Sequence, residues 1–340
     1  MKEAEITSEG VVKLGRYIAC DAHYPDRPIR VVTHAHFDHV WKLKNSVEEN
    51  EMILATPATI RLIQALKGER FLKDKARPLG YGDRLEYGEE QVSLVYANHI
   101  LGAAQVVLET KGSRIVYTGD FKLPGTPFVE CDVLIIEATY GNPKNVRDFD
   151  EEVETHLLNI VERGLNDGPV YVFGYHGKLQ EAMEIVEKAG VEAPVIVPDQ
   201  VMRICEAYKE FGVDLGRLIC SHSEEGKEIT GSGIPFLGFY HTGARKYVGT
   251  DKLRVFLTGW EFMAPFRRIG DRDYVVALSD HADFNGLLTY VENSGPEFII
   301  TDNYRIGDAV TLAKEIEKRL GIHAVPMPYH KSKSGKVPSG

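Results

Sequence analysis

Several things are scarce in this chain, and each absence excludes a class of protein. Its four cysteines, Cys20, Cys131, Cys205 and Cys220, are scattered and form no CxxC pair. That argues against a disulfide framework or cysteine-zinc knuckle and for buried thiols in a reducing cytoplasm. No apolar run is long enough to cross a bilayer, and the opening MKEAEITSEG has no secretion-signal core, so a cytoplasmic protein with no membrane contact is expected. Positive charge is in deficit. A net charge of −10 excludes a protein that coats nucleic acid indiscriminately, but not a nuclease, whose metal site is acidic and whose basic groove is local. Glutamine is sparse beside plentiful charge, which leans towards a heat-adapted source. There is no internal repeat or low-complexity segment. What remains is a 340-residue chain, 43% hydrophobic, sufficient for a large core in one or two domains. The tail HKSKSGKVPSG (330–340) is basic and contains Gly, Ser and Pro, so it is expected to be mobile.

Short β-branched runs recur, and six of them end on a side chain that can hold a metal or move a proton. RVVT runs into His34, VSLVYAN into His99, RIVYTG into Asp120, VLII into Glu137, YVVALSD into His281 and EFIIT into Asp302. Ordinary strand ends carry Gly, Asn, Ser or Lys, so these six suggest strand ends converging on one site. The middle of the chain alternates strand and amphipathic helix, as in GPVYVFGYHGKLQEAMEIVEKAG and APVIVPDQVMRICEAYKEFG. That pattern predicts a parallel α/β unit over residues 148–268 inserted into a first domain, which then comprises 1–147 and 269–340.

The densest signal is THAHFDH (33–39). With 12 histidines in 340 residues, an HxHxDH pattern arises by chance about once in a thousand such chains, so it reads as chemistry. His34 and His36, two apart on an extended segment, point to the same side and reach one ion. Asp38 and His39 follow on a turn and face a second. A bridging carboxylate suits two ions, and Asp120 is the candidate, with His99 completing the first shell. The expected set is His34, His36, His99 and Asp120 on one zinc, and Asp38, His39, Asp120 and one further ligand on the other. Mixed imidazole and carboxylate donors favour zinc, with manganese or iron as alternatives. Such a pair of ions activates a water and neutralises a phosphodiester's oxygens.

These residues resemble the metallo-β-lactamase fold, whose HxHxDH signature is present as HAHFDH, with later ligand motifs in HILGAA and YTGD. EATYG (137–141) and SDHAD (279–283) are similar to its β-CASP nuclease branch. Size and the run FGYHGKLQEA look closest to ligase-associated DNA exonucleases and their archaeal relatives. The resemblance implies an α/β fold, a metallo-β-lactamase αββα sandwich with an inserted α/β β-CASP domain. It implies that Asp38, His281 and Glu137 are catalytic, with His281 meeting the scissile phosphate or leaving oxygen and Glu137 holding its imidazole. Asp21, in IACDAHYP, would be hydrogen-bonded to a metal-binding loop rather than to metal. Many members place a histidine after the last strand as the remaining ligand of the second ion. FIITDNY has Asp302 there, a harder oxygen donor that can serve as that ligand and leaves room for manganese at that position; the alternative is that Asp302 turns away and the chain runs with one tightly held ion.

Lys178, at a glycine-flanked helix start, is a candidate phosphate contact. Arg267 and Arg268 could line a cleft between domains, and Tyr175 and His176 could stack a base. Together these imply a zinc-dependent phosphodiesterase acting on single-stranded DNA or RNA, an exonuclease in preference to an endonuclease. Oligomeric state is open, with a homodimer among the expectations. The rivals are a small-molecule hydrolase acting on thioesters or lactams and a non-catalytic subunit of an RNA-processing complex.

Overall fold

The computed structural model describes residues 4–329; the basic tail 330–340, expected to be mobile, lies outside the described residues. The chain forms two compact units. One comprises the chain up to Val146 and from His281 onward, the other Arg147–Asp280.

The first unit is built on two sheets. Six strands, Ala4–Ile6, Val12–Leu14, Ile18–Cys20, Ile29–Val31, Met52–Ala55 and Ala76–Pro78, pair in chain order. The first two pairings are antiparallel and the rest parallel. The second sheet runs His323–Met327, Phe298–Asp302, Val133–Ile136, Arg114–Tyr117, Ala104–Glu109, Glu90–Tyr96 and Arg84–Tyr87. Leu14, Ile29, Val31 and Leu54 of the first sheet share one core with Leu94, Val106, Leu108, Ile115, Ile135 and Ile300 of the second. Helices Leu43–Glu49 and Pro57–Lys67 contact the first sheet, and Ala309–Leu320 contacts the second, giving four layers. Strands such as Ile29–Val31 are buried at every residue. Parallel strands covered on both faces read as continuous apolar runs, which is why RVV and VLII stand out in the sequence.

The second unit holds one seven-stranded sheet in the order Leu218–Cys220, Val195–Val197, Leu237–His241, Val170–Gly174, Leu253–Leu257, Asp273–Val276, Phe266–Arg268. All pairings are parallel except the last. Helices Asp150–Leu165, Lys178–Lys188, Asp199–Glu210 and Glu224–Ser232 connect or flank these strands, as parallel crossovers require. The boundary expected at residue 268 lies later, at Asp280. The strand leading to His281 pairs with Leu253–Leu257 in this sheet rather than the first unit's. A forked ion pair fixes that register, Arg254 Nε to Asp273 Oδ1 at 2.8 Å and Nη2 to Oδ2 at 2.6 Å. The sequence shows the apolar run but not which sheet it joins.

Gly307 sets the turn after Asp302. Its φ is +143°, and a Cβ there would lie 2.0 Å from the Ala138 carbonyl oxygen, in backbone that cannot move aside. Gly307→Ala is expected to lower unfolding free energy by about 3 kcal/mol in denaturant titration. Gly295, with φ +57° but open space around it, should cost only about 1 kcal/mol as alanine.

Candidate metal centre

The site is organised around a carboxylate that touches no candidate cation position. Asp21 follows strand Ile18–Cys20, is fully buried, and has φ 58°. Its Oδ1 accepts from the Thr33 N–H at 2.8 Å, and Oδ2 accepts from Thr33 Oγ1 at 2.7 Å, His39 Nδ1 at 2.8 Å and the Tyr117 hydroxyl at 2.9 Å. Burial alone would raise its pKa. The His39 ring, its hydrogen bond, Arg305 and the Thr33 amide outweigh that and hold the carboxyl below its ordinary range. An ionised Asp21 accepts from His39 Nδ1 and turns Nε2 inward. Against burial and Arg305, the Asp120, Asp38 and Asp21 carboxylates hold the His39 pKa well above its ordinary value, so an arriving cation displaces the Nε2 proton. Thr33 gives its hydroxyl proton to Asp21, so its oxygen receives the His34 Nδ1 proton across 3.1 Å, and His34 Nε2 also turns inward.

Four donors meet there. One ligand atom each from His34, His36, His99 and Asp120 lies within 4.8 Å of every other. His36 Nδ1 is 3.0 Å from His99 Nε2, and Asp120 Oδ2 is 3.6 Å from His34 Nε2 and 3.9 Å from His99 Nε2. Donors of one tetrahedral zinc lie about 3.3 Å apart, so the spacing fits a small divalent ion. The nitrogens His34 Nε2 and His39 Nε2 are buried without a hydrogen-bond partner among the described residues, a costly arrangement that a cation relieves. Burial, then the neighbouring imidazoles His39 and His99, hold the His34 pKa well below its ordinary value, so the ring is neutral, as a ligand must be.

Each donor has a local reason for its place. His34 and His36 follow strand Ile29–Val31. Arg30, buried in that strand, donates to the His39 and Trp41 carbonyls at 3.0 and 3.1 Å and shapes the turn. The His99 loop is tied down at Gly102, whose carbonyl accepts from Thr56 Oγ1 and Thr59 Oγ1 at 2.7 and 2.8 Å, at the start of helix Pro57–Lys67. Asp120 follows strand Arg114–Tyr117 through Gly119, with φ 56°.

Asp120 Oδ2 also lies 3.2 Å from His39 Nε2, and Asp38 Oδ2 lies 3.4 Å from that nitrogen. Asp38, His39 and Asp120 therefore form a second, adjoining set. Asp302, expected to complete it, is engaged elsewhere. Its Oδ1 accepts from the Tyr304 and Arg305 amides at 2.8 and 3.3 Å, and its Oδ2 from Arg305 Nη1 at 2.6 Å. Sequence reasoning passed over Arg305. The signal was present in Asp302 and Arg305 three residues apart, a spacing at which opposite charges meet on a turn.

His281 and Glu137 come together beside the first group. His281 Nδ1 is 3.0 Å from both Glu137 oxygens, and the His281 ring is 4.9 Å from that of His99. Glu137 Oε1 also accepts from the Phe121 amide at 2.9 Å. Asp283 of SDHAD caps helix Phe284–Ser294 by accepting from the Gly286 amide.

The expected substrate contacts are arranged differently. Lys178 does start a helix, but its ammonium is paired with buried Asp280, because a carboxylate in that position needs a cation. Arg267 is paired with buried Glu261, and Arg268 donates to the Gly270 and Asp271 carbonyls. The Tyr175 ring packs edge-on against His241 at 5.1 Å, and His176 adjoins it in the chain.

Residues 25–193 match the family described as the metallo-beta-lactamase superfamily. An uncharacterised protein in the ligase 3' region of Acidianus ambivalens is 42% identical over 138 residues, 40% of this chain and 99% of the relative. A probable DNA ligase from Opitutus terrae is 28% identical over 88% of this chain but only 28% of its own length. An RNase J-like protein from Methanocaldococcus jannaschii is 30% identical over 46% of this chain and 42% of its own length. The chain thus spans less than half of the latter two relatives. On the match to the family, the similarity to these proteins and the histidine-aspartate arrangement above, the chain belongs to the metallo-β-lactamase superfamily, in its β-CASP nuclease branch.

Proposed function

We propose that the chain is a metal-dependent nuclease that hydrolyses phosphodiester bonds of DNA or RNA, acting on single-stranded ends. The observation that carries this reading is the His281–Glu137 pair set against the His34, His36, His99 and Asp120 group. A proton donor beside a cation position suits departure of an alkoxide from phosphorus. The names of the relatives, a DNA ligase and an RNase J-like protein, support nucleic acid as the substrate class. Residues Arg147–Asp280 are read as the inserted β-CASP domain.

His34, His36, His99 and Asp120 would hold the cation, and their donor chemistry favours zinc. A bound zinc would supply Lewis acidity, polarising a phosphoryl oxygen and lowering the pKa of a water. Glu137 holds His281 Nδ1, so Nε2 is the atom that contacts the phosphate and delivers a proton to the leaving oxygen. Asp38, whose side chain is 38% exposed against 10% for Asp120, is the carboxylate that reaches water and orients it. Asp21 and Thr33 set the tautomers of His39 and His34.

End-labelled single- and double-stranded DNA and RNA, incubated with zinc or manganese, are expected to give a product ladder from the single strands; every oligonucleotide remaining intact would sink the reading. His281→Ala should slow cleavage by about a hundredfold to ten-thousandfold with bound metal unchanged, as read by elemental analysis. Thr33→Val removes the link between His34 Nδ1 and Asp21 and is expected to weaken zinc binding by about tenfold. Competition with a chromophoric chelator measures it, and an unchanged affinity would remove Thr33 from the account.

A further inference from the structure

Building on that reading, we infer that this chain binds one divalent cation tightly, at His34, His36, His99 and Asp120, and that the guanidinium of Arg305 takes the place of a second. The donors beside the first group are Asp38, His39 and Asp120. Three protein donors leave a cation there short of one ligand. The residue placed to supply it, Asp302, has both oxygens occupied, one by two backbone amides and the other by Arg305 Nη1 at 2.6 Å. Releasing Asp302 to a metal would leave a buried arginine without its closest carboxylate, since the Arg305 side chain is only 8% exposed.

Arg305 approaches one of the donors that a second ion would need, Asp38. Its Nε lies 3.8 Å from Asp38 Oδ2. Both Nε and Nη2 are buried with no hydrogen-bond partner among the described residues, so two of the guanidinium's nitrogens keep unused donors. Arginine keeps its charge at any working pH. A divalent ion on Asp38 would therefore sit beside a fixed positive charge, with no fourth ligand to offset the repulsion. The guanidinium instead neutralises Asp38 and Asp302 permanently, whereas zinc in the first group can be removed and returned.

The test counts ions. Asp199, Cys220 and His222 lie close together at the surface and would confuse the count, so every protein carries Cys220→Ser. Full-length protein is stripped with chelator, reloaded with zinc and desalted, and zinc per chain is read by native mass spectrometry and elemental analysis. One zinc is expected in the parent and two in Arg305→Met, which frees Asp302. Asp302→Asn should remain at one, because that carboxylate holds arginine and not metal. A parent with two tightly bound zincs, or a folded Arg305→Met protein that still takes one, overturns the inference while leaving the nuclease reading in place. A parent that binds none overturns the nuclease reading itself. If Arg305→Met fails to fold, the parent and Asp302→Asn counts still decide the matter.

Discussion

The arrangement of this centre depends on one buried carboxylate accepting four hydrogen bonds. Asp21 takes the Thr33 amide and hydroxyl, the His39 ring and the Tyr117 hydroxyl. Those groups come from the histidine loop and the second sheet, and Asp21 itself follows a strand of the first, so a single side chain ties together the pieces that a cation would otherwise have to assemble. A charged group removed from water is tolerable only when its lone pairs are met in this way. Two inward-facing imidazole nitrogens, His34 Nε2 and His39 Nε2, follow from it. His34 thus presents a lone pair to an incoming ion, whereas His39, held charged against burial by the carboxylates around it, gives up a proton to one; both orientations are set at folding.

Much of this arrangement was legible in the sequence because candidate ligands are dense and strand ends are abrupt. HAHFDH concentrates imidazole and carboxylate in six residues, and His99, Asp120 and Glu137 stand out by following apolar runs. The α/β alternation of the middle segment was equally plain. What was not legible shares a cause, in that each case concerns a partner chosen in three dimensions. Nothing in FIITDNYR says that Asp302 pairs with Arg305. A lysine at a glycine-flanked helix start looks like a phosphate contact until Asp280 is seen beside it. The strand Asp273–Val276 has the composition of either unit, and only its pairing with Leu253–Leu257 decides the matter.

The buried ion pairs of the second unit serve a different purpose from those at the centre. Lys178–Asp280 and Arg267–Glu261 each put a carboxylate that is almost wholly enclosed against a cation. Such pairs contribute little net stability, but removing the cation strands a buried carboxylate and costs several kcal/mol. They tie the start of the helix at Lys178 to Asp280 and the edge strand Phe266–Arg268 to the loop at Glu261. Their positive charge is thus engaged within the unit.

Position 21 shows how little room for drift such a hub leaves. Its left-handed backbone, φ 58°, is comfortable for glycine, asparagine and aspartate and strained for nearly everything else. Four incoming donors require an acceptor-only group, which glycine lacks and which an amide spoils by presenting N–H to N–H. The steric filter and the chemical filter overlap at one amino acid. Divergence around the histidine loop must therefore proceed by changing its neighbours, and descendants of this fold that abandon the aspartate must rebuild both imidazole orientations at once.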